Sequence, residues 1–145
     1  MTTRRDFLKS TATAAMVCCG ATAFATLLES CSPYKKIWVA EEKKGKITIK
    51  KTDLGSDKFA VVKSNSGNLP ADIYLTQLPD GNFSALLMLC THKQCDVKPL
   101  GNKLDCPCHG SEFSNTGVVL KGPASKPLVN YIVTVDDSNI YIHLK

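Results

Sequence analysis

Two short segments rich in cysteine and histidine carry the residue types that can do chemistry in this chain. Residues 90–95, the first box, provide Cys90 and His92, and residues 106–111, the second box, provide Cys106 and His109. Two thiolates and two imidazoles, one pair from each box, match a [2Fe–2S] cluster with two cysteines on one iron and two histidines on the other. The same four groups fit one tetrahedral Zn²⁺ ion, so a zinc-stabilised or disulfide-stabilised binding module is the competing interpretation.

The distribution of cysteine favours a site over a disulfide scaffold. Four of the seven cysteines lie in the two boxes, and the other three, Cys18, Cys19 and Cys31, lie in the N-terminal segment. None is scattered through the remaining residues, as a stapled framework would require. We therefore expect the boxes to form one centre.

Length and charge limit the other function classes. The chain has 145 residues and a formal net charge of +5, which suits one domain with an N-terminal appendage. The basic residues are scattered and are not interleaved with aromatic residues, as a nucleic-acid groove would need. We expect no nucleic-acid partner.

The paired boxes resemble those of Rieske iron–sulfur proteins, and a double box of this kind is a specific signal. The resemblance covers roughly the last hundred residues and implies an all-β fold. In that fold an antiparallel sandwich or open barrel forms the base, and a small cluster-binding subdomain is inserted between its strands. It also implies one [2Fe–2S] cluster, with Cys90, His92, Cys106 and His109 as its iron ligands.

The remaining cysteine of each box indicates the type of Rieske protein. In the respiratory type, the residues that match Cys95 and Cys108 form a disulfide that clasps the two boxes, whereas the ferredoxin type lacks them. The resemblance thus implies a relative of the iron–sulfur subunits of cytochrome bc complexes, or of the small subunit of arsenite oxidase.

Residues beside the boxes match the family in part. Ser111 matches a serine whose hydroxyl donates to a bridging sulfide, and Phe113 stands where high-potential relatives have a tyrosine that donates to a ligand sulfur. We expect the missing hydroxyl to lower the potential. Gly122, Pro123 and Ala124 resemble the proline loop that covers the cluster, although an ordinary Gly-Pro turn would read the same way.

The first box also departs from the family. Lys93 and Gln94 stand where respiratory relatives usually have leucine and glycine, and that leucine lies at the quinol-docking tip. A lysine beside His92 argues against quinol oxidation and favours an anionic partner surface. His143 lies on the last predicted strand and is interpreted as a surface residue.

The ligand set sets the expected chemistry. Exchanging two thiolates for two neutral imidazoles removes negative charge, so the potential rises from about −400 mV towards roughly −150 to +300 mV. Reduction raises the pKa of an iron-bound imidazole, which couples electron uptake to proton uptake in quinol-oxidising relatives.

The N-terminus, residues 1–31, has the pattern of an export signal. Arg4 and Arg5 open a twin-arginine motif, and an Ala/Thr-rich run without charge covers residues 10–28. Three outcomes are open: a retained membrane anchor, cleavage after Ala25, or lipidation at Cys31. We favour membrane attachment by the first or the third route. The run is marginal against the about 20 apolar residues of a spanning helix.

The rest of the chain divides into a tether and a β-domain. Residues 32–45 are polar and lack periodicity, which predicts a tether, and residues 46–145 form the expected Rieske domain. Short β-branched or aromatic runs separated by turn residues predict eight strands, and no run predicts a helix of ten residues. The predicted strands are residues 47–49, 59–63, 73–77, 83–89, 103–105, 117–121, 131–135 and 140–144.

The functional prediction is one-electron transfer by a membrane-attached periplasmic subunit of a respiratory oxidoreductase of the quinol–cytochrome c reductase kind. Its expected partners are a cytochrome b-type or other oxidoreductase subunit, a c-type cytochrome acceptor and, as an open option, quinol. A free periplasmic electron carrier is the alternative. No nucleophile or acid–base constellation appears elsewhere, so we do not expect the chain to be an enzyme alone.

Overall fold

The structure is a computed structural model that describes residues 36–39, 42–54, 59–64 and 67–144. All of these belong to the unit formed by residues 33–145. The twin-arginine motif, the apolar run and Cys31 lie outside the described residues. Within the described ranges, no helix has the length and apolar character needed to cross a bilayer.

Strands dominate the described residues. The bounds are β1 Lys36–Val39, β2 Lys46–Lys50, β3 Phe59–Ser64, β4 Ile73–Gln77, β5 Phe83–Leu87, β6 Lys98–Leu100, β7 Lys103–Asp105, β8 Glu112–Ser114, β9 Val119–Lys121, β10 Asn130–Val135 and β11 Asn139–His143. One short helix, α1, covers Lys51–Leu54. The predicted all-β fold is confirmed.

The larger sheet has seven strands in the order β1-β3-β4-β5-β10-β11-β2. Every neighbouring pair in it is antiparallel except β1 and β3. Period-two alternation sets the register at one end, where Ile140 opposes Ile49 and Ile142 opposes Ile47. All four of these side chains are buried, because alternate residues of a strand face the same side of the sheet.

The central strands bury both faces, which explains their nearly continuous apolar sequence. Ile73 and Leu75 of β4 enter the core of the base, whereas Tyr74 between them enters a second core. The second core also contains Cys90, Cys106 and Phe113. The two thiols therefore belong to the core that packs the larger sheet against the smaller sheet.

The smaller sheet is inserted between two paired strands of the larger one. β5 and β10 pair with each other, and β6-β7-β8-β9 form a four-stranded antiparallel sheet between them in the chain. Successive connections of an antiparallel sheet alternate between its ends. The connections before β6, between β7 and β8, and after β9 consequently share one end. These connections hold the first box, the second box and residues 122–127, here called the third loop.

Three strands were not predicted from the sequence. β6 contains Pro99, which interrupts a strand pattern, and Phe113 is the one residue of β8 with high strand propensity. β1 lies inside the stretch predicted as a tether, and it pairs in parallel with β3, Ile37 opposite Val62. Part of that stretch is thus a sheet strand, and Ile37 packs against the core of the base.

Candidate metal centre

The first box is a tight loop closed by two backbone hydrogen bonds. The Cys90 N–H donates to the carbonyl of Cys95, and the Gln94 N–H donates back to the carbonyl of Cys90, both at 2.8 Å. Gln94 has a φ of 56°, in the left-handed region. The loop begins three residues after β5 ends, so its first cysteine is held by the sheet.

The second box repeats this geometry. The Cys106 N–H donates to the carbonyl of Ser111 at 2.8 Å, and the Gly110 N–H donates to the carbonyl of Cys106 at 2.9 Å. Gly110 has a φ of 75° and stands four residues after its cysteine, as Gln94 does in the first box. The two boxes therefore present their cysteines from equivalent backbone positions.

Both of these cysteines are free thiols in the packed interior. Cys90 and Cys106 are each 1% exposed. Burial raises the pKa of the Cys106 thiol, and the neighbouring Cys90 thiol raises it further, against hydrogen bonds from backbone N–H groups. Two thiolates side by side in this environment need a cation to balance their charge, and a metal supplies one.

The two histidines meet at the outer side of the loops. The ring centroids of His92 and His109 are 4.9 Å apart at an interplanar angle of 84°. Nδ1 of His92 is buried and has no hydrogen-bond partner among the described residues. A buried imidazole nitrogen without a partner is costly unless its lone pair binds a metal. His109 is exposed, so the histidine side of the site is the side that reaches solvent.

A disulfide joins the two boxes. Cys95 and Cys108 are bonded, with their Cα atoms 6.5 Å apart. Their sulfurs and that of Cys106 all lie within 4.8 Å of one another. Sulfurs committed to a disulfide do not ligate a metal, so Cys90 and Cys106 are the thiols that the boxes leave for one.

The second box is also tied to the third loop. The Ala124 N–H donates to Oγ of Ser111 at 3.0 Å, and both residues are buried. The hydroxyl proton of Ser111 finds no acceptor among the described residues, which leaves it for a group bound between the boxes. The Gly122–Pro123 peptide bond in this loop is cis.

The first box is tied to the third loop as well. Oγ of Thr91 donates to the carbonyl of Lys126 at 2.6 Å, across 35 residues of sequence. With the disulfide and the Ser111–Ala124 bond, each of the three loops is connected to both of the others. The roles of Thr91 and Lys126 were not predicted, because no local sequence pattern indicates a hydrogen bond between two distant loops.

Phe113 closes the interior side of the site. It is fully buried in β8, opposite Leu104 of β7, and belongs to the same core as both free thiols. His143 lies elsewhere, on β11 of the larger sheet, where its Nε2 is 2.8 Å from Oγ1 of Thr134.

The donor set fits an iron–sulfur cluster with mixed ligands. Two buried free thiols, an unpartnered imidazole nitrogen, a second adjacent imidazole and a hydroxyl proton without an acceptor converge in three connected loops. Soft thiolates together with imidazoles suit iron–sulfur chemistry. A single zinc ion would leave the hydroxyl proton of Ser111 without a role.

Comparison with known proteins assigns the family. The model of the Rieske [2Fe–2S] domain matches residues 34–132, which is most of the chain. The chain belongs to the Rieske [2Fe–2S] domain family. A Rieske domain carries one [2Fe–2S] cluster, and the three-loop site is the part of this chain that fits it.

Named relatives of the Rieske chain are subunits of cytochrome complexes. It is 38% identical over 73 residues to the cytochrome b6-f complex iron-sulfur subunit 2 of Trichormus variabilis, covering 48% of this chain and 41% of the relative. It is 32% identical over 66 residues to the corresponding subunit of Chlorobaculum tepidum, covering 44% of this chain and 36% of the relative. The chain thus matches less than half the length of these two relatives.

A solved structure supports the fold assignment over nearly all of its own length. The plasma membrane Rieske protein PetC3 of the cyanobacterium Synechocystis PCC 6803 superposes with a TM-score of 0.56 at 34% identity. The match covers 66% of this chain and 97% of that chain. The Rieske fold predicted from the boxes is confirmed.

Proposed function

We propose that this Rieske protein transfers single electrons through a [2Fe–2S] cluster held by Cys90 and Cys106 on one iron and by His92 and His109 on the other. The observation that carries this proposal is the pairing of two buried free thiols with two contacting imidazoles, one of which is exposed. When bound, such a cluster accepts and releases one electron at a time at a potential raised by its imidazole ligands.

The surrounding residues create an insulated interior side and an open exterior side. Phe113 and the second core exclude water from the thiol side. The disulfide and the bonds of Thr91 and Ser111 hold the loops at fixed separation. Because His109 is exposed and both thiols are buried, a partner can reach the site from the histidine side, and electrons enter and leave there.

The wider setting follows from the relatives and the N-terminus. Because cytochrome b6-f subunits are among the matches, we assign the chain to a membrane-attached subunit of a respiratory oxidoreductase on the periplasmic side, exported by the twin-arginine route. Its partners are then a cytochrome b-type or other oxidoreductase subunit and a c-type acceptor. Quinol is a weaker candidate, because Lys93 replaces an apolar residue at the tip.

Ligand variants test the cluster directly. The full chain, purified after expression with iron, should contain two irons and two sulfides. It should also show visible absorption and, when reduced, the paramagnetic resonance of a mixed-ligand diiron centre. His92→Ala combined with His109→Ala should abolish that resonance. His143→Asn, a histidine change on the base sheet, should leave it intact.

Two results would overturn the proposal. The first is zinc in place of iron in the purified chain, and the second is an unchanged resonance in the double histidine variant. Membrane fractionation separates the attached subunit from a free periplasmic carrier, because the carrier would be recovered in the soluble fraction. Co-purification with a cytochrome b would identify the complex.

A further inference from the structure

The surface around the exposed histidine carries positive charge. Lys93 in the first box and Lys126 in the third loop are both exposed. The bond from Thr91 to the carbonyl of Lys126 holds the backbone of one lysine against the loop that carries the other. Lys93 and Lys126 therefore belong to neighbouring loops of the tip that carries His92 and His109.

No carboxylate lies in the three loops, residues 90–95, 106–111 and 122–127. Within the described part of the chain, neither Lys93 nor Lys126 takes part in an ion pair. Lysines elsewhere do: Lys63 is 2.6 Å from Asp72, and Lys103 is 2.5 Å from Glu112. The tip thus keeps the positive charge of both lysines.

Carboxylates occur at the roots of the loops. Asp96 is exposed immediately after the first box, opposite Leu89 in an isolated bridge. Asp105 pairs in register with Lys98, and Glu112 lies between Lys103 and Lys121. Of these three carboxylates, Asp96 partly offsets the positive potential of the tip. It lies at the base of the first box, opposite the residue that precedes Cys90.

We infer that the three-loop tip docks against an acidic patch on the protein with which it exchanges electrons. This inference rests on the proposed function, because it places recognition on the same surface as electron exchange. An uncharged quinol gains little from two ammonium groups that must stay hydrated. An anionic lipid surface would attract them, but contact with lipid would cover the histidine side and block exchange.

Lysines at a docking rim act mainly on the rate of encounter and on partner choice. The effect should weaken as the screening length falls from about 30 Å at 0.01 M salt to about 8 Å at 0.15 M. One lysine about 13 Å from a trivalent anion should change the rate by about threefold at 0.01 M salt.

Small redox probes of opposite charge measure this field. The cluster-loaded full chain is reduced and then oxidised by ferricyanide, a trivalent anion, or by tris(phenanthroline)cobalt(III), a trivalent cation. Lys93→Gln and Lys126→Gln should each slow oxidation by ferricyanide about threefold, and the double variant about tenfold. Oxidation by the cobalt complex should become faster in the same variants.

Lys50→Gln is the matched control. Lys50 is exposed at the end of β2, an edge strand of the base, and its replacement removes the same net charge away from the tip. It should change either rate by less than about twofold. The resonance spectrum of the tip variants should equal that of the unchanged chain. Opposite rate changes with the two probes show that docking changed, because a change in driving force would shift both rates in the same direction.

Protein and lipid probes decide the occupant. Of two c-type cytochromes with similar potentials, the one with an acidic haem edge should be reduced faster, and the difference should vanish at high salt and in the double variant. Equal lysine effects at the tip and at Lys50 would overturn the docking inference while leaving the proposed function standing. So would lysine-dependent binding to phosphatidylserine vesicles without any effect on the cytochromes. A chain that exchanges electrons with neither small complex would contradict both.

Discussion

Gln94 and Gly110 occupy equivalent positions in two loops that both need a left-handed backbone. Their φ angles are 56° and 75°, and each donates to the carbonyl of the cysteine four residues before it. This conformation costs a residue with a Cβ atom roughly 1–2 kcal/mol, whereas glycine adopts it freely. The first box therefore stores strain that the second box avoids.

Exchanging these residues should move stability in opposite directions. Gly110→Ala should lower the free energy of unfolding by about 1 kcal/mol, and Gln94→Gly should raise it by a similar or smaller amount. In the described part of the chain, no atom lies within 4 Å of a Cβ built on Gly110, so the loss would come from φ alone. Denaturant unfolding of both variants measures the two changes. A neutral Gly110→Ala would show that the left-handed backbone is not maintained in solution.

Phe113 sets a second residue-scale prediction. A tyrosine there is expected to donate to a ligand sulfur, and that bond should strengthen in the reduced state. If the gain is about 1 kcal/mol, Phe113→Tyr raises the midpoint potential by about 40 mV. A redox titration measures the shift, and Phe113→Leu, which adds no hydroxyl, is the control. A lower or unchanged potential in the tyrosine variant would contradict this role for position 113.

The two boxes could be recognised in the sequence because their residue types and spacing are local. The boxes placed the ligand candidates, but Thr91, Lys126 and the strain at Gln94 were not predicted. The bond between Thr91 and Lys126 depends on the position of a loop more than 30 residues away. The positive φ of Gln94 is not indicated by a glutamine in the sequence. The predicted pairing of Cys95 with Cys108 came from family resemblance, since spacing alone does not decide which cysteines bond.

At the scale of an element, the β10–β11 hairpin is organised by one carboxylate. Asp136 accepts hydrogen bonds from the Tyr141 hydroxyl at 2.6 Å and from the backbone N–H groups of Ser138 and Asn139 at 2.8 and 2.7 Å. The Tyr141 bond, followed by the backbone bonds, lowers the pKa of Asp136 to about 2. The hairpin carries β11, which pairs with β2 at the edge of the base.

Acid should therefore weaken this hairpin in a defined window. A carboxyl group whose folded pKa lies below its unfolded value stabilises the fold above the unfolded pKa, and the contribution is lost as pH falls towards the folded pKa. For Asp136 the window runs from about pH 4 down to about pH 2. Asp136→Asn should flatten the loss of stability across that window. Asp137→Asn, at a neighbouring residue that accepts none of these bonds, should keep the unaltered profile, and equal profiles for the two variants would refute the assignment.

Strands were predictable where a short apolar run was bounded by turn residues. The eight predicted strands all appear, with ends displaced by at most two residues. β6 and β8 are defined by their pairing with β7, which a sequence pattern does not show. β1 was not predicted because its neighbours in the chain are polar, although Ile37 packs against the core of the base.

At the scale of the whole molecule, β1 decides where the folded domain begins. A chain that starts at residue 42 would lack β1 and leave β3 as an uncovered edge. Compared with a chain that starts at residue 33, its free energy of unfolding should fall by about 1–2 kcal/mol, mainly through loss of the Ile37 contact. Denaturant unfolding of the two chains measures the difference, and Ile37→Ala in the longer chain isolates the side chain. Equal free energies of unfolding for the two chains would show that residues 36–39 act as a tether and do not stabilise the sheet.

The connections among the three loops also have a mechanical consequence. Each loop is joined to the other two, by the Cys95–Cys108 bond, by Thr91 to Lys126 and by Ser111 to Ala124. The three connections form a closed ring, so no loop can move outward without stretching two of them. If one connection is broken, the other two still link all three loops. Reductive cleavage of the disulfide therefore leaves the first and second boxes coupled through the third loop.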